Sequence, residues 1–162
     1  MEKLDLTRTK IHEQAMLCIF QYLFYENAID TTYKKPIEEI ISDVMEVSFD
    51  ECDVFFRAII FETIKNRNEY INIINSKLNK WTFNRLCLSD QAILLLFTSE
   101  LINQRAPIQV CIDVAVDLAH RYCDDKSYRY INKVLDRIGK ENAWWIYKCQ
   151  WIELIHKDLF GE

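Results

Sequence analysis

A chain of 162 residues, half of them apolar, fits one domain with a substantial core to bury. Only two glycines (Gly139, Gly161) and two prolines (Pro36, Pro107) occur, which argues against a many-turned β-barrel or sandwich, because tight turns draw on Gly for positive φ. A net charge of −5 excludes a uniformly basic nucleic-acid binder, but leaves room for a local basic patch and suits a basic protein partner.

Apolar residues then recur at helical spacing along the chain. Ile11, Ala15, Cys18 and Tyr22, with Leu17, Phe20 and Phe24, predict a well-buried helix over 8–25. Residues 28–35 read as a loop, and Pro36 suits the first turn of a helix through Ile37, Ile40, Ile41 and Val44 to about Val47. Ser48, with Glu51 three residues on, has the pattern of a helix start. The helix expected from there runs to Leu78, with a break near Asn66–Asn68. Residues 80–86 form a linker with two aromatic anchors, Trp81 and Phe83. Ser89 opens a helix over Asp90–Leu101, Pro107 opens another through Ala119, and a third covers Tyr128–Ile138. Gly139 is expected to end that helix. A separate amphipathic helix, Glu141–Phe160, follows with Trp144, Trp151, Ile152, Ile155 and Leu159 on one side. So much apolar surface is expected to fold back over the core; the alternative is docking on a partner or a second copy through Trp144, Trp151 and Ile155.

The fold class expected is therefore all-α, with about seven helices and an extra C-terminal helix. The expected units are a helical domain over 1–139, with subdomains of about 1–78 and 79–139, and an extension over 140–162. No catalytic or metal site stands out, and no cofactor is expected. Paired acids such as Glu38-Glu39 point apart on a helix, and His12, His120 and His156 lack ligand spacing. None of the six cysteines forms a Cys-x-x-Cys pair. Met1–Thr9 is largely charged and polar, and no run of eighteen apolar residues occurs, so a reduced, cytoplasmic, non-membrane protein is expected.

The second half carries a recognisable order of elements. Trp81-Thr-Phe-Asn-Arg-Leu precedes Ser89-Asp-Gln-Ala-Ile-Leu, then Ala106-Pro-Ile-Gln-Val-Cys-Ile-Asp-Val-Ala, then Asp125-Lys-Ser-Tyr-Arg-Tyr-Ile-Asn-Lys-Val-Leu-Asp-Arg-Ile. With Thr7-Arg-Thr-Lys-Ile-His-Glu-Gln-Ala at the start, this series resembles the NusB family over about residues 5–138. The resemblance implies two small helical subdomains and a non-enzymatic activity. That activity is binding single-stranded leader RNA together with a small-subunit ribosomal protein, within the transcription complex that resists termination in ribosomal RNA synthesis.

It also implies where RNA would touch. The family's arginine-rich entry falls on Arg8, Lys10 and His12, an aromatic on Phe20, and an acid on Asp90. The stretch after Asp125 places Lys126, Arg129, Tyr130 and Asn132 near RNA. A tyrosine ring stacks on an unpaired base while a neighbouring cation holds phosphate. Some positions depart from the family pattern: His12 replaces an arginine, Lys126 an acid, Lys133 a glycine, and Asp113-Val114 an Asn-Glu pair. These changes, with the tryptophan-rich tail, motivate an alternative reading: an interaction module with weakened RNA binding that associates, including with itself as a homodimer, through the tail.

Overall fold

The computed structural model describes residues 8–28, 30, 32 and 34–161; of Arg8 and Phe160 it describes the backbone only. Among the described residues there are seven α-helices and no strand. They are α1 (Arg8–Glu26), α2 (Ile37–Met45), α3 (Val54–Lys65), α4 (Arg67–Lys77), α5 (Leu88–Ile102), α6 (Ile108–Tyr122) and α7 (Ser127–Phe160).

α5 is the axle of the fold. Every residue from Asp90 to Leu101 is buried, so this helix has no solvent face, and α1, α3, α4, α6 and α7 all pack on it. A helix covered all round must satisfy its polar side chains internally. Gln91 Nε2 donates to the Leu86 carbonyl (2.9 Å), Asp90 accepts from α7, and Glu100 accepts from Arg105 (2.7 Å).

The helix starts show which local signals win. Ser48 begins only a 3-10 turn, Phe49–Glu51, and its hydroxyl caps nothing. Asp53 starts α3 instead, its Oδ1 accepting from the Phe55 and Phe56 amides at 2.9 and 3.1 Å. A carboxylate satisfies two of the orphan amides and favours the positive end of the helix dipole, which a serine does less well. The expected break falls at Asn66 (φ −99°, ψ 13°), where Arg67 Nη1 donates back to the Ile64 carbonyl (2.8 Å). Glu46 and Gln104 take positive φ without being glycine, a strain of roughly 1–2 kcal/mol each by hard-sphere sterics. This is how a glycine-poor chain turns between helices. In the linker after α4 only Phe83 is an anchor: it is buried in a 3-10 turn, Phe83–Arg85, and its amide donates to Asn75 Oδ1 (2.8 Å). Trp81 stands outside, 61% exposed.

Gly139 does not end a helix. α7 continues through it for 34 residues, about 50 Å at 1.5 Å per residue, and stops at Gly161 in the left-handed conformation (φ 68°). Gly139 serves close packing instead: a Cβ there would lie 2.8 Å from Ile108 Cγ2. Gly139→Leu is expected to lower unfolding free energy by about 2 kcal/mol through overpacking, outweighing roughly 0.8 kcal/mol of helix propensity gained. Urea denaturation measures it; an unchanged or higher midpoint would mean that Ile108 yields freely.

The tail does not fold back over the core either. Trp144, Trp151 and Ile155 are 57%, 66% and 49% exposed, as α7 runs beyond the body. The helix formers after Gly139 propagate the helix, and among the described residues no packed neighbour covers its last turns.

Candidate nucleic-acid interface

Two elements meet at one groove of about 640 Å³. One wall is the stretch from Lys77 to Cys87, fastened by the buried Phe83. The other is the start of α7, where Lys126, Tyr130, Lys133 and Arg137 fall at steps of four, three and four residues, hence on one face. Among the described residues that line it are six cations (Lys77, Lys80, Arg85, Lys126, Lys133 and Arg137) facing two carboxylates, Asp90 and Asp124. Lys77 is ion-paired with Glu141; the other five cations enter none of the ion pairs formed among the described residues. A chain with an acidic total thus gathers a basic strip.

Asp90 braces the groove from beneath. It is 5% exposed at the start of α5, and its Oδ2 accepts from Ser127 Oγ (3.2 Å) and from the Tyr130 hydroxyl. This ties the first turn of α7 to the axle. Burial, and then the Asp90 hydrogen bond, push the Tyr130 hydroxyl well above the usual phenol range, so it remains a donor in neutral solution. Cys123 nearby is pushed up to about 12 by burial first and by Asp90 second, and stays a thiol. Tyr130 is half-buried, with its polar end held inward and its ring on the groove wall.

The structure brings together Lys126, Tyr130 and Asp90 from the expected set, with Asp90 under the surface as a positioning group. Arg129 and Asn132 are on α7 without lining the groove; Arg129 Nε donates to the Tyr128 hydroxyl (3.2 Å). Lys10 is exposed on α1. Phe20 is half-buried against the core. The Arg8 side chain lies outside the described residues. His12 requires a correction: it is 6% exposed, its Nε2 lies 3.3 Å from Glu100 Oε2, and its ring stacks on Phe97 at 5.3 Å. It occupies the inner face of α1, three and four residues before Ala15 and Met16, and does not line the groove. The residues that sequence reasoning missed are Lys77, Lys80, Trp81, Arg85 and Arg137. A signal for four of them is present, because three cations and a tryptophan within nine residues form a basic stretch with an interleaved aromatic. No group of three or more His, Cys, Asp or Glu able to hold a metal occurs among the described residues.

The fold is shared with crystallised antitermination proteins. NusB of T. maritima superimposes with a TM-score of 0.70 at 28% identity, covering 83% of this chain and 92% of that one. NusB in a crystal structure of antitermination factors NusB and NusE in complex with dsRNA superimposes at 0.67 and 20% identity, a likeness of fold, over 83% and 96%. The chain is thus an all-helical protein with the NusB fold. The pattern defining the NusB family matches residues 9–140. The transcription antitermination protein NusB of Macrococcus caseolyticus is 33% identical over 138 residues, 85% of this chain and the whole of that protein. Its counterpart in Clostridium tetani is 31% identical over 155 residues, 84% of this chain and 99% of that protein. This chain belongs to the NusB family, and its function is that of the family's transcription antitermination proteins. Residues after 140 lie beyond the family match.

Proposed function

We propose that the groove between the Lys77–Cys87 stretch and α7 grips unpaired leader RNA. The chain does so jointly with a small-subunit ribosomal protein, in the cytoplasm, as part of the complex that keeps RNA polymerase elongating through ribosomal RNA genes. The single observation that carries this reading is the meeting of six cations with Trp81 and Tyr130 in one groove. Cations supply sequence-independent phosphate attraction, and an exposed indole supplies a face on which a base stacks once it leaves its duplex. The activity is binding, and no catalytic step is invoked. The crystal structure of NusB and NusE with dsRNA supports a family surface open to RNA and a protein partner together.

Cys87 gives a direct test, since it is exposed and lines the groove, whereas Cys149 is exposed on the distal part of α7. Saturating a short unpaired RNA should slow alkylation of Cys87 several-fold and leave Cys149 unchanged, as read by peptide mass spectrometry. Log affinity should fall with log salt at a slope of roughly −0.7 per phosphate neutralised. Equal labelling of Cys87 with and without bound RNA would remove the groove as the site.

A further inference from the structure

The tail of α7 carries a second pattern, independent of the groove. Trp144, Tyr147, Trp151, Leu154 and Asp158 alternate by three and four residues, with Lys140 four before the first. This is the seam spacing of a coiled coil. Trp144, Tyr147, Trp151 and Leu154 are 57%, 66%, 66% and 60% exposed. The stripe lies about half a turn round the helix from the Ile131, Leu135 and Ile138 side that packs on the body, so a partner helix laid along it meets no steric obstacle.

We infer that this tail pairs antiparallel with the tail of a second copy, on a two-fold axis level with Cys149. In that register Trp144 meets the other copy's Leu154, Tyr147 meets its Trp151, and Lys140 meets its Asp158. Each contact occurs twice by symmetry. Every layer sets a large ring against a different apolar side chain, and the end layers join opposite charges. A parallel pairing would set Lys140 on Lys140 and Asp158 on Asp158. Lys140 is held in the single chain by Asp136 (2.8 Å), an exposed i,i+4 pair that exchanges partners with little loss.

Size and charge favour the same occupant. The exposed rings and aliphatic groups along the stripe would bury about 1,000 Å² over two copies, the threshold for a specific interface. Three lysines and four acids lie between residues 140 and 162, so the tail has no net positive charge to attract an anionic lipid surface. The packed bodies would sit about 30 Å apart at Gly139, at 1.5 Å per residue, well beyond a Debye length of roughly 8 Å. Their shared negative charge therefore does not oppose pairing.

Sedimentation equilibrium on the full chain tests this. The expected result is a concentration-dependent shift from 19.4 kDa to twice that mass. Trp151→Glu should weaken association more than about a hundredfold, because the ring is central and occurs twice in the interface. Lys140→Asp alone and Asp158→Lys alone should each weaken it about tenfold, and the two together should restore it, which only the antiparallel register requires. Circular dichroism checks that each variant stays helical; should Trp151→Glu lose helix, the two charge variants, both on exposed positions, carry the test. A chain that stays monomeric to several hundred micromolar overturns the inference. So does a dimer indifferent to Trp151→Glu, or a double swap that restores nothing. Monomers that bind phosphatidylglycerol vesicles through the tail, without dimerising, would overturn it in favour of a lipid surface.

Discussion

Trp81→Ala is expected to weaken binding of unpaired RNA by about 5- to 150-fold, because stacking a base on an aromatic ring is worth roughly 1–3 kcal/mol. The same change should leave stability within about 0.5 kcal/mol, as for other exposed positions. Trp81 is 61% exposed, while the linker is held by its neighbour Phe83, which is 1% exposed. Removing the indole therefore takes away a binding face without loosening the segment that carries it. Trp81→Phe should keep most of the affinity, since it keeps a π-face. The salt dependence separates this effect from phosphate attraction. Trp81→Ala removes no charge and should leave the slope of log affinity against log salt unchanged. The triple variant Lys80→Ala, Arg85→Ala, Lys133→Ala should flatten that slope by about 2, at roughly 0.7 for each phosphate left without its cation. Fluorescence anisotropy over a salt series measures both. Full affinity in Trp81→Ala would mean that RNA passes elsewhere, over the Lys10 or the Arg129 surface.

Glu100→Ala is expected to produce the largest loss of stability, about 3 kcal/mol or more, as when one partner of a buried ion pair is removed. Glu100 is 2% exposed in the axle helix. Its Oε1 accepts from Arg105 Nη1 at 2.7 Å, and its Oε2 lies 3.3 Å from His12 Nε2. Arg105 also pairs with Glu62 on α3, so Glu100 joins α1 to the turn before α6, and Arg105 extends the network to α3. Burial pushes the ionisation of Arg105 below the ordinary guanidinium range, so the buried cation is costly to leave short of a partner. In the alanine variant Arg105 keeps one of its two acidic partners while remaining mostly buried. For a chain of this size the melting temperature should fall by roughly 6–12 °C. Glu100→Gln, which keeps the shape and one acceptor, should lose less than half as much. Calorimetry on both variants checks the order; an alanine variant as stable as the parent would mean that Arg105 finds water or Glu62 sufficient.

Much of the fold is legible along the chain because helix formation is a local matter. Apolar residues repeating every three or four positions announce each helix, and Pro36 and Pro107 mark two of the starts, each standing just before the first helical residue. The break at Asn66 is readable for the same reason. Where two local signals compete, expectation and structure differ by a few residues: Ser48 and Asp53 both offer a cap, and the stronger acceptor prevails. Gly139 defeats a local reading because a glycine near a helix end and a glycine at a close helix crossing look alike until Ile108 is placed against it.

Sites are less legible than helices. His12 looks like part of a basic surface by resemblance, although its spacing to Ala15, Met16 and Ile19 already puts it on the inward face of α1. Half of the groove is visible as Lys126, Tyr130 and Lys133 on one side of a helix. The other half, Lys80, Trp81 and Arg85, lies about forty residues earlier and reads as linker.

By itself, then, the order of residues determined that this protein is helical, roughly where each helix runs, and, through its ordered motifs, its kinship with NusB. Backbone hydrogen bonding and side-chain periodicity act over three or four residues, so that information is written locally. Tertiary structure alone decided that Gly139 joins rather than ends, that Asp90 braces from below, and that cations far apart in sequence share one groove. Those outcomes depend on which surfaces pack together, a property of pairs of distant segments that no single segment encodes.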